Sequence, residues 1–454
     1  MLIKKVIAFR TIPFPHTGRH IHEVILGVLN EYSVVPKFFS LSFDNASANV
    51  SAIDYFQRSF VHPYPEYSKL FHVRCACHII HLVVYDAIKV INETDNLDFI
   101  RKIRNAVLYI TRSPTRLQYF KKSCTTFALK PRSFVLDTET RWNSTYMMLK
   151  SVEGYETVIL DVLNDSDFEL DMIDFENCKV FTNFLGVFYT ATKKLSGVYY
   201  PTTCIVLNQL YNIAAAFKEC RDSRLYGRVV KLMEEKYLRY WEEMPPLFLL
   251  GSIMDPWKKI VGTVALLEGI AELFGIPCLD NFFYVNEMLL KLFNHYRSTY
   301  GSNVQTTVVA QSNFAEQDPS ERLLSTTSST TDLGGTSNTS FISELVRYLE
   351  LDISVFFGNS ALGRQFDIMQ FWSTHGSSFP VLQIMARDLL TPPVSTVASE
   401  SCFSMSGRIL SKKRSRPAPD TLEALVCSKD CNAARKRRQE FKDSYVEVFS
   451  NLDS

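Results

Sequence analysis

Two carboxylates stand out by where they fall. Asp44 closes the stretch FSLSFDNASANV (residues 39–50), in which Phe39, Leu41 and Phe43 alternate with serines and Asp44-Asn45 follows where a half-buried strand should break. An acid at a strand end either accepts backbone N–H groups in an Asx-turn or holds a metal ion, and the second role needs partners. Glu400 is the one acid of PPVSTVASESCFSMSGRIL (392–410), a segment expected to start a helix after Pro393 with Ser395 as N-cap and to stop it near Gly407. Set among Val397, Ala398, Cys402 and Phe403, this glutamate is either paired inside the fold or bound to a metal.

Two further clusters carry chemistry. HVRCACHIIH (72–81) gathers His72, Cys75, Cys77, His78 and His81, with Cys75 and His78 on one helix face and Cys77 and His81 on another. Tetrahedral zinc needs a second pair of ligands from a separate element, and none falls at a sensible distance; buried thiols beside a hydrogen-bonded histidine explain the run as well. DTETRWNSTY (137–146) holds Arg141 and Trp142, which suit a nucleic acid strand as phosphate and base contacts, or equally a surface ion pair over a core tryptophan.

Charge sharpens the nucleic acid reading. The net charge of +1 says little, but residues 101–132 hold nine Lys and Arg and no Asp or Glu, including Arg112, Arg116, Lys121 and Lys122. A one-signed run is expected where phosphates are met, whereas a solvated helix face normally interleaves acids. An acidic stretch at 164–177 offsets the total.

The elements that must position these residues begin β, α, β, α: a strand at KKVIAFRTI, a helix at HIHEVILGVLNEY, a strand at FFSLSFD and a helix after Asn45. That order predicts an α/β sheet with functional groups at strand ends. Helical spacing dominates 75–125 and all of 150–300, so 1–150 reads as an α/β core and 151–300 as an all-helical insertion. Residues 301–340, rich in Ser, Thr, Gly, Asn and Gln, are expected to be a disordered linker. Residues 341–430 form a compact aromatic segment, followed by a basic tail at 431–454. Leu345, Leu349, Phe366, Phe371 and Trp372 crowd the compact segment with more apolar surface than a small subdomain can hide, which predicts a dimer interface. At 454 residues and 46% hydrophobic the chain can build a large core. No apolar run approaches the roughly 20 residues of a bilayer span, and no signal-peptide cleavage site is evident, so the ten cysteines are expected as reduced thiols in a soluble protein.

In order along the chain, SLSFDNASANV, RCACHIIHLVV, LDTETRWNSTYMML, FYTATKKLSGVYYPTT, LGSIMDPWKKI and the long block from Phe366 to Leu410 resemble the hAT transposase superfamily, the hobo and Activator type, and most closely its plant host-gene branch. The resemblance implies α/β plus all-α architecture: a truncated ribonuclease-H-like core interrupted by a helical insertion and closed by a C-terminal hAT dimerisation region. It implies that Asp44 and Glu400 match two members of an Asp/Asp/Glu trio, that Cys75 and His78 match a Cys-x-x-His element beside the site, and that Trp142 matches a tryptophan that stacks on DNA. The family's BED finger and the strand bearing its first aspartate find no counterpart, since residues 1–43 contain only Glu23 and Glu31 as acids. The expectation is a nuclear, DNA-binding homodimer without transposase activity, with no resident cofactor beyond weak Mg2+ at the remnant pair and no membrane contact. Two alternatives stand beside it: a fragment of an active transposase, and a helical interaction scaffold with no DNA role.

Overall fold

Apolar residues at Ile21, Ile25, Val28 and Leu29 put one face of the helix Gly18–Glu31 (α1) against its neighbour, and Thr17 caps its start by accepting the His20 N–H. Gly18 is required there, because a Cβ would stand 2.6 Å from the backbone nitrogen of Ala52 in the next helix. The chain then forms β1 (Leu41–Phe43), α2 (Ser47–Ser59) and β2 (His72–Arg74). β1 and β2 pair in parallel, Leu41 beside His72 and Phe43 beside Arg74, and this two-stranded sheet is the one sheet among the described residues. The structure is a computed structural model that describes residues 2–59, 72–93, 98–138, 140–164, 166–224, 226–242, 244–276, 281–312, 338–354, 366–409 and 418–450.

Everything after β2 is helical among the described residues. Helices α3 (Ala76–Asn92), α4 (Phe99–Thr111), α5 (Pro114–Thr126), α6 (Trp142–Val152), α7 (Glu156–Leu163) and α8 (Met172–Leu195) are followed by α9 (Val206–Cys220), α10 (Gly227–Trp241), α11 (Pro246–Ile253), α12 (Lys259–Phe274) and α13 (Asn281–Ser312). The C-terminal part adds α14 (Asn338–Glu350), α15 (Ile368–His375), α16 (Pro380–Leu390), α17 (Val397–Ile409) and α18 (Pro419–Ser450). One continuous hydrophobic core runs from Val73 to Val394, whereas α1, β1 and α2 close over a small separate cluster of Leu29, Ile53 and Phe56.

Three expectations need correction. Residues 2–10 form no strand: the Val6 N–H bonds the Asp430 carboxylate at 2.8 Å and the Phe9 N–H bonds Glu423 at 3.1 Å. Donors spent on side chains of α18 leave no ladder for a neighbouring strand, so the segment is an extended strap clamped to a helix, with Lys4 on Asp430 and Arg10 on Glu423 as ion pairs. Helix α13 continues to Ser312, into the stretch expected as linker; residues 313–337 lie outside the described residues. The residues expected at a dimer interface are instead packed inside the chain. Leu345, Phe371 and Trp372 are buried, and Leu349 and Phe366 pack partly buried against the same core. The Trp372 indole N–H reaches the Met254 carbonyl at 2.9 Å and the Tyr348 hydroxyl reaches the Ile253 carbonyl at 2.6 Å. Both bonds close on the end of α11, about a hundred residues earlier in the chain.

Candidate functional site

Asp44 follows β1 directly, at a corner where three remote segments meet. The Phe43 carbonyl accepts the Cys75 N–H at 2.8 Å, the Ala76 N–H donates to the Val394 carbonyl at 2.8 Å, and the Ser42 hydroxyl donates to the Pro393 carbonyl at 2.5 Å. Cys75 caps α3: its sulfur accepts from the His78 N–H at 3.4 Å and from the Thr396 N–H at 3.3 Å. The Thr396 hydroxyl stands 3.3 Å from that sulfur and 2.9 Å from Glu400 Oε1, and its single proton is better spent on the carboxylate. The helix starts one residue later than expected, at Val397, so Thr396 rather than Ser395 holds the N-cap position; Ser395 accepts the Val397 N–H at 3.2 Å from the residue before, and the helix runs to Ile409, slightly past Gly407. Thus Asp44, Cys75, His78 and Glu400, four positions spread over more than 350 residues, belong to one corner. Thr396, which ties Cys75 to Glu400, carried no signal in the sequence because a threonine near a helix start is ordinary.

Both acids are held by the chain itself. Asp44 Oδ1 accepts the Ala46 N–H at 2.9 Å and the Asn49 amide at 2.7 Å, which is the Asx-turn reading of the strand end. Glu400 is exposed one turn into α17. Among the described residues no three His, Cys, Asp or Glu side chains gather as a metal-binding group, so the zinc reading of residues 72–81 finds no second pair. Cys77 instead contacts the Ser196 hydroxyl at 3.5 Å, and burial pushes its thiol up to about 11. His78, His81 and Tyr85 stack along α3 with ring centroids 6.1 and 5.5 Å apart, and burial followed by the neighbouring His78 lowers the pKa of His81.

Trp142 opens α6 and is 2% exposed, so in this conformation it is a core residue and does not present its ring to DNA. The ion pair beside it is Arg104 on Asp137, bidentate at 2.9 and 2.7 Å and almost wholly buried, while Arg141 stays exposed. The basic run is therefore partly neutralised by acids outside its own window: Asp98 and Asp174 take Lys102, Asp98 takes Arg101 and Asp137 takes Arg104. Arg112, Arg116, Lys121, Lys122, Lys130 and Arg132 are exposed, and none has an acidic partner within 4.0 Å among the described residues. Ser113 caps α5 and Pro114 starts it, which fixes the helix that displays the middle of this set. Arg116 lies 3.5 Å over the Tyr109 ring and Arg132 lies 4.3 Å over Tyr155, so two guanidinium groups are braced on aromatic faces. Tyr119 and Phe127 sit exposed among them, a basic surface with interleaved rings. Their alternation with lysines was visible in the sequence, but their exposure was not.

The chain combines a helical body, a β–α–β corner bearing Asp44 and a separate basic helix, and it is similar to known proteins along its length. Residues 1–66 match the ZBED1 RNase-like domain, 73–181 the ZBED1 RNase-like helical domain, and 344–431 the hAT family C-terminal dimerisation region. The chain belongs with the hAT transposase-related proteins. It is 27% identical to an AC transposase of Zea mays over its whole length, which covers 56% of that protein. It is 23% identical to the zinc finger BED domain-containing protein RICESLEEPER 1 of Oryza sativa subsp. japonica over 94% of this chain and 60% of the relative. It is 26% identical to DAYSLEEPER of Arabidopsis thaliana over 65% of this chain and 40% of the relative. The chain thus spans between two-fifths and three-fifths of the length of these relatives. No described helix is long and apolar enough to cross a membrane.

Proposed function

We propose that this chain is a hAT-derived nuclear protein that homodimerises through its C-terminal region and binds DNA mainly by phosphate contacts, without cutting or joining it. The observation that carries the reading is the α5 surface, where six exposed cations lack acidic partners among the described residues and two exposed rings stand between them. The matched dimerisation region supports the homodimer. The RNase-like match over 1–66 supports taking β1–α2–β2 as part of a ribonuclease-H-like core. Two-metal strand transfer needs several carboxylates around two cations roughly 4 Å apart. Asp44 and Glu400 are two acids where that set needs several, and among the described residues no third His, Cys, Asp or Glu gathers with them, which supports the non-catalytic reading.

Reversing Arg112, Arg116, Lys121 and Lys122 to glutamate should abolish duplex binding, and the parent's affinity should fall with a log–log salt slope of about −0.9 per phosphate contact. Unchanged duplex affinity in that variant would reduce the surface to a solvated face. Light scattering should give a dimer at micromolar concentration. A labelled terminal-repeat duplex incubated with Mg2+ or Mn2+ should stay intact; cleavage lost in Asp44→Asn or Glu400→Gln would overturn the non-catalytic reading.

A further inference from the structure

A second cationic surface lies at the far end of α8. Lys193 and Lys194 occupy its last turn and are exposed, with no acidic partner within 4.0 Å among the described residues. Helix C-termini attract lysines to their unsatisfied carbonyls, but two of these carbonyls are already served. The Ser196 N–H bonds the Thr192 and Lys194 carbonyls, and the Tyr200 hydroxyl donates to the Lys194 carbonyl at 2.6 Å. The turn that makes this bond needs glycine at 197, since a Cβ there would fall 2.2 Å from the Tyr200 ring. Tyr199 and Tyr200 are 42% and 44% exposed, and the Arg437 guanidinium of α18 lies 4.6 Å from the Tyr199 ring centre. Asp430 of α18 is occupied by Lys4 and the Val6 N–H. Two segments remote in sequence, 193–200 and α18, therefore bring together three cations and two exposed rings, one of them backed by arginine.

This surface is separate from α5. The Lys102–Asp174 contact marks the end of α8 nearest the first basic run, and Lys194 stands about 30 Å away along the helix at 1.5 Å per residue. The chemistry also differs. Phosphates alone would need the lysines and arginine but not two solvent-facing tyrosines, whereas a strand with unpaired bases offers both phosphates to the cations and π-faces to the rings.

We propose that Lys193, Lys194, Tyr199, Tyr200 and Arg437 form a binding surface for a single-stranded or unpaired nucleic acid segment. The inference rests on the reading of this chain as a DNA binder and adds to it a distinct strand class and place. The test measures fluorescence anisotropy of the full chain with a labelled mixed-sequence single-stranded oligonucleotide and with its duplex. Lys193→Glu, Lys194→Glu and Arg437→Glu combined should weaken single-strand binding tenfold or more at low salt and flatten its log–log salt slope by about 2, since each single-strand contact contributes about 0.7. Tyr199→Leu with Tyr200→Leu keeps the charge and should weaken single-strand binding about fivefold or more with the slope unchanged, as expected for lost stacking. Unchanged single-strand affinity and slope in the triple variant overturn the inference, even where the α5 reversal still abolishes duplex binding. Equal losses for single strand and duplex in the triple variant overturn the assignment to unpaired bases. An α5 reversal that leaves duplex binding intact, with the triple variant still selective for single strands, strikes the proposed function and leaves this surface standing.

Discussion

The C-terminal aromatic segment and the N-terminal corner are fastened to the same helical body by opposite means. Tyr348 and Trp372 are buried wedges whose polar tips satisfy consecutive carbonyls at the end of α11, Ile253 and Met254, groups that a helix terminus leaves without partners. The strap, β1 and α2 rest on a cluster of three buried apolar residues and on carboxylates of α18 that accept backbone N–H groups. The first attachment removes large apolar surface from water; the second exchanges hydrogen bonds with water for hydrogen bonds within the chain, each with a net contribution of about 1 kcal/mol. Stability is therefore concentrated in the part that looked like an interface, and the part that looked catalytic is the more weakly anchored.

The strongest way to break that contrast is Trp372→Ala. Loss of a buried indole and its bond to Met254 should cost about 3–5 kcal/mol of monomer stability, read by denaturant unfolding. If unfolding is unaffected and light scattering shows lost dimer instead, the ring belongs to an interface after all. Asp137→Ala should cost a similar 3–5 kcal/mol, because it removes the bidentate acceptor of the Arg104 guanidinium, 13% exposed in its side chain, and the acceptor of the Thr145 hydroxyl. A near-neutral result would mean that Arg104 turns outward and rejoins the basic surface.

Glu344 sharpens the same comparison through pH. This buried acid of α14 accepts the Leu382 N–H at 2.8 Å and so caps α16, whose own N-cap residue Phe379 offers no side-chain bond. Burial pushes its carboxyl up to about 7 against the pull of the Leu382 and Val381 N–H groups and Arg347. A pKa raised on folding means the native state holds the proton longer, so the contribution of Glu344 to stability is fullest below pH 4.5 and is lost as pH rises to about 7. The full shift corresponds to about 3 kcal/mol. Glu344→Gln, which keeps the acceptor, should remove that slope and raise stability at pH 8 by about 1–3 kcal/mol. A slope that survives in the variant assigns it to other groups.

The helices were legible because their own residues specify them: the 3.6-residue spacing of α1 and the long apolar patterns of α8, α9 and α10 need no outside information. β1 and the helix after Asn45 were legible for the same reason. What failed in each case depended on a partner distant in the chain. The apolar, β-branched character of residues 4–12 suits an extended backbone, and the sequence does not say that Glu423 and Asp430 rather than a strand will take its N–H groups. Density of aromatics in 341–430 does not reveal that the chain's own core, including the end of α11, receives them. A window from 101 to 132 cannot count Asp98, Asp137 and Asp174. Trp142 could be read either way until its burial was known.

The smallest effect is expected at the residue that first suggested chemistry. Asp44 accepts two donors through Oδ1, and an asparagine offers a carbonyl oxygen in the same place, since Asn and Asp are both at home in Asx-turns. Asp44→Asn should therefore cost less than about 1 kcal/mol, the size of one exchanged hydrogen bond. The outcome separates the two readings of the strand end. An acid kept for its turn is replaceable by its amide, with thermal unfolding in the presence and absence of Mg2+ nearly superimposable for parent and variant. An acid kept for a cation is not: the parent would gain stability with rising Mg2+ by mass action on the native state, and the variant would lose that gain. Should the gain appear and vanish in this way, the corner holds a metal and the contrast with the C-terminal wedge becomes one between a built site and a structural core.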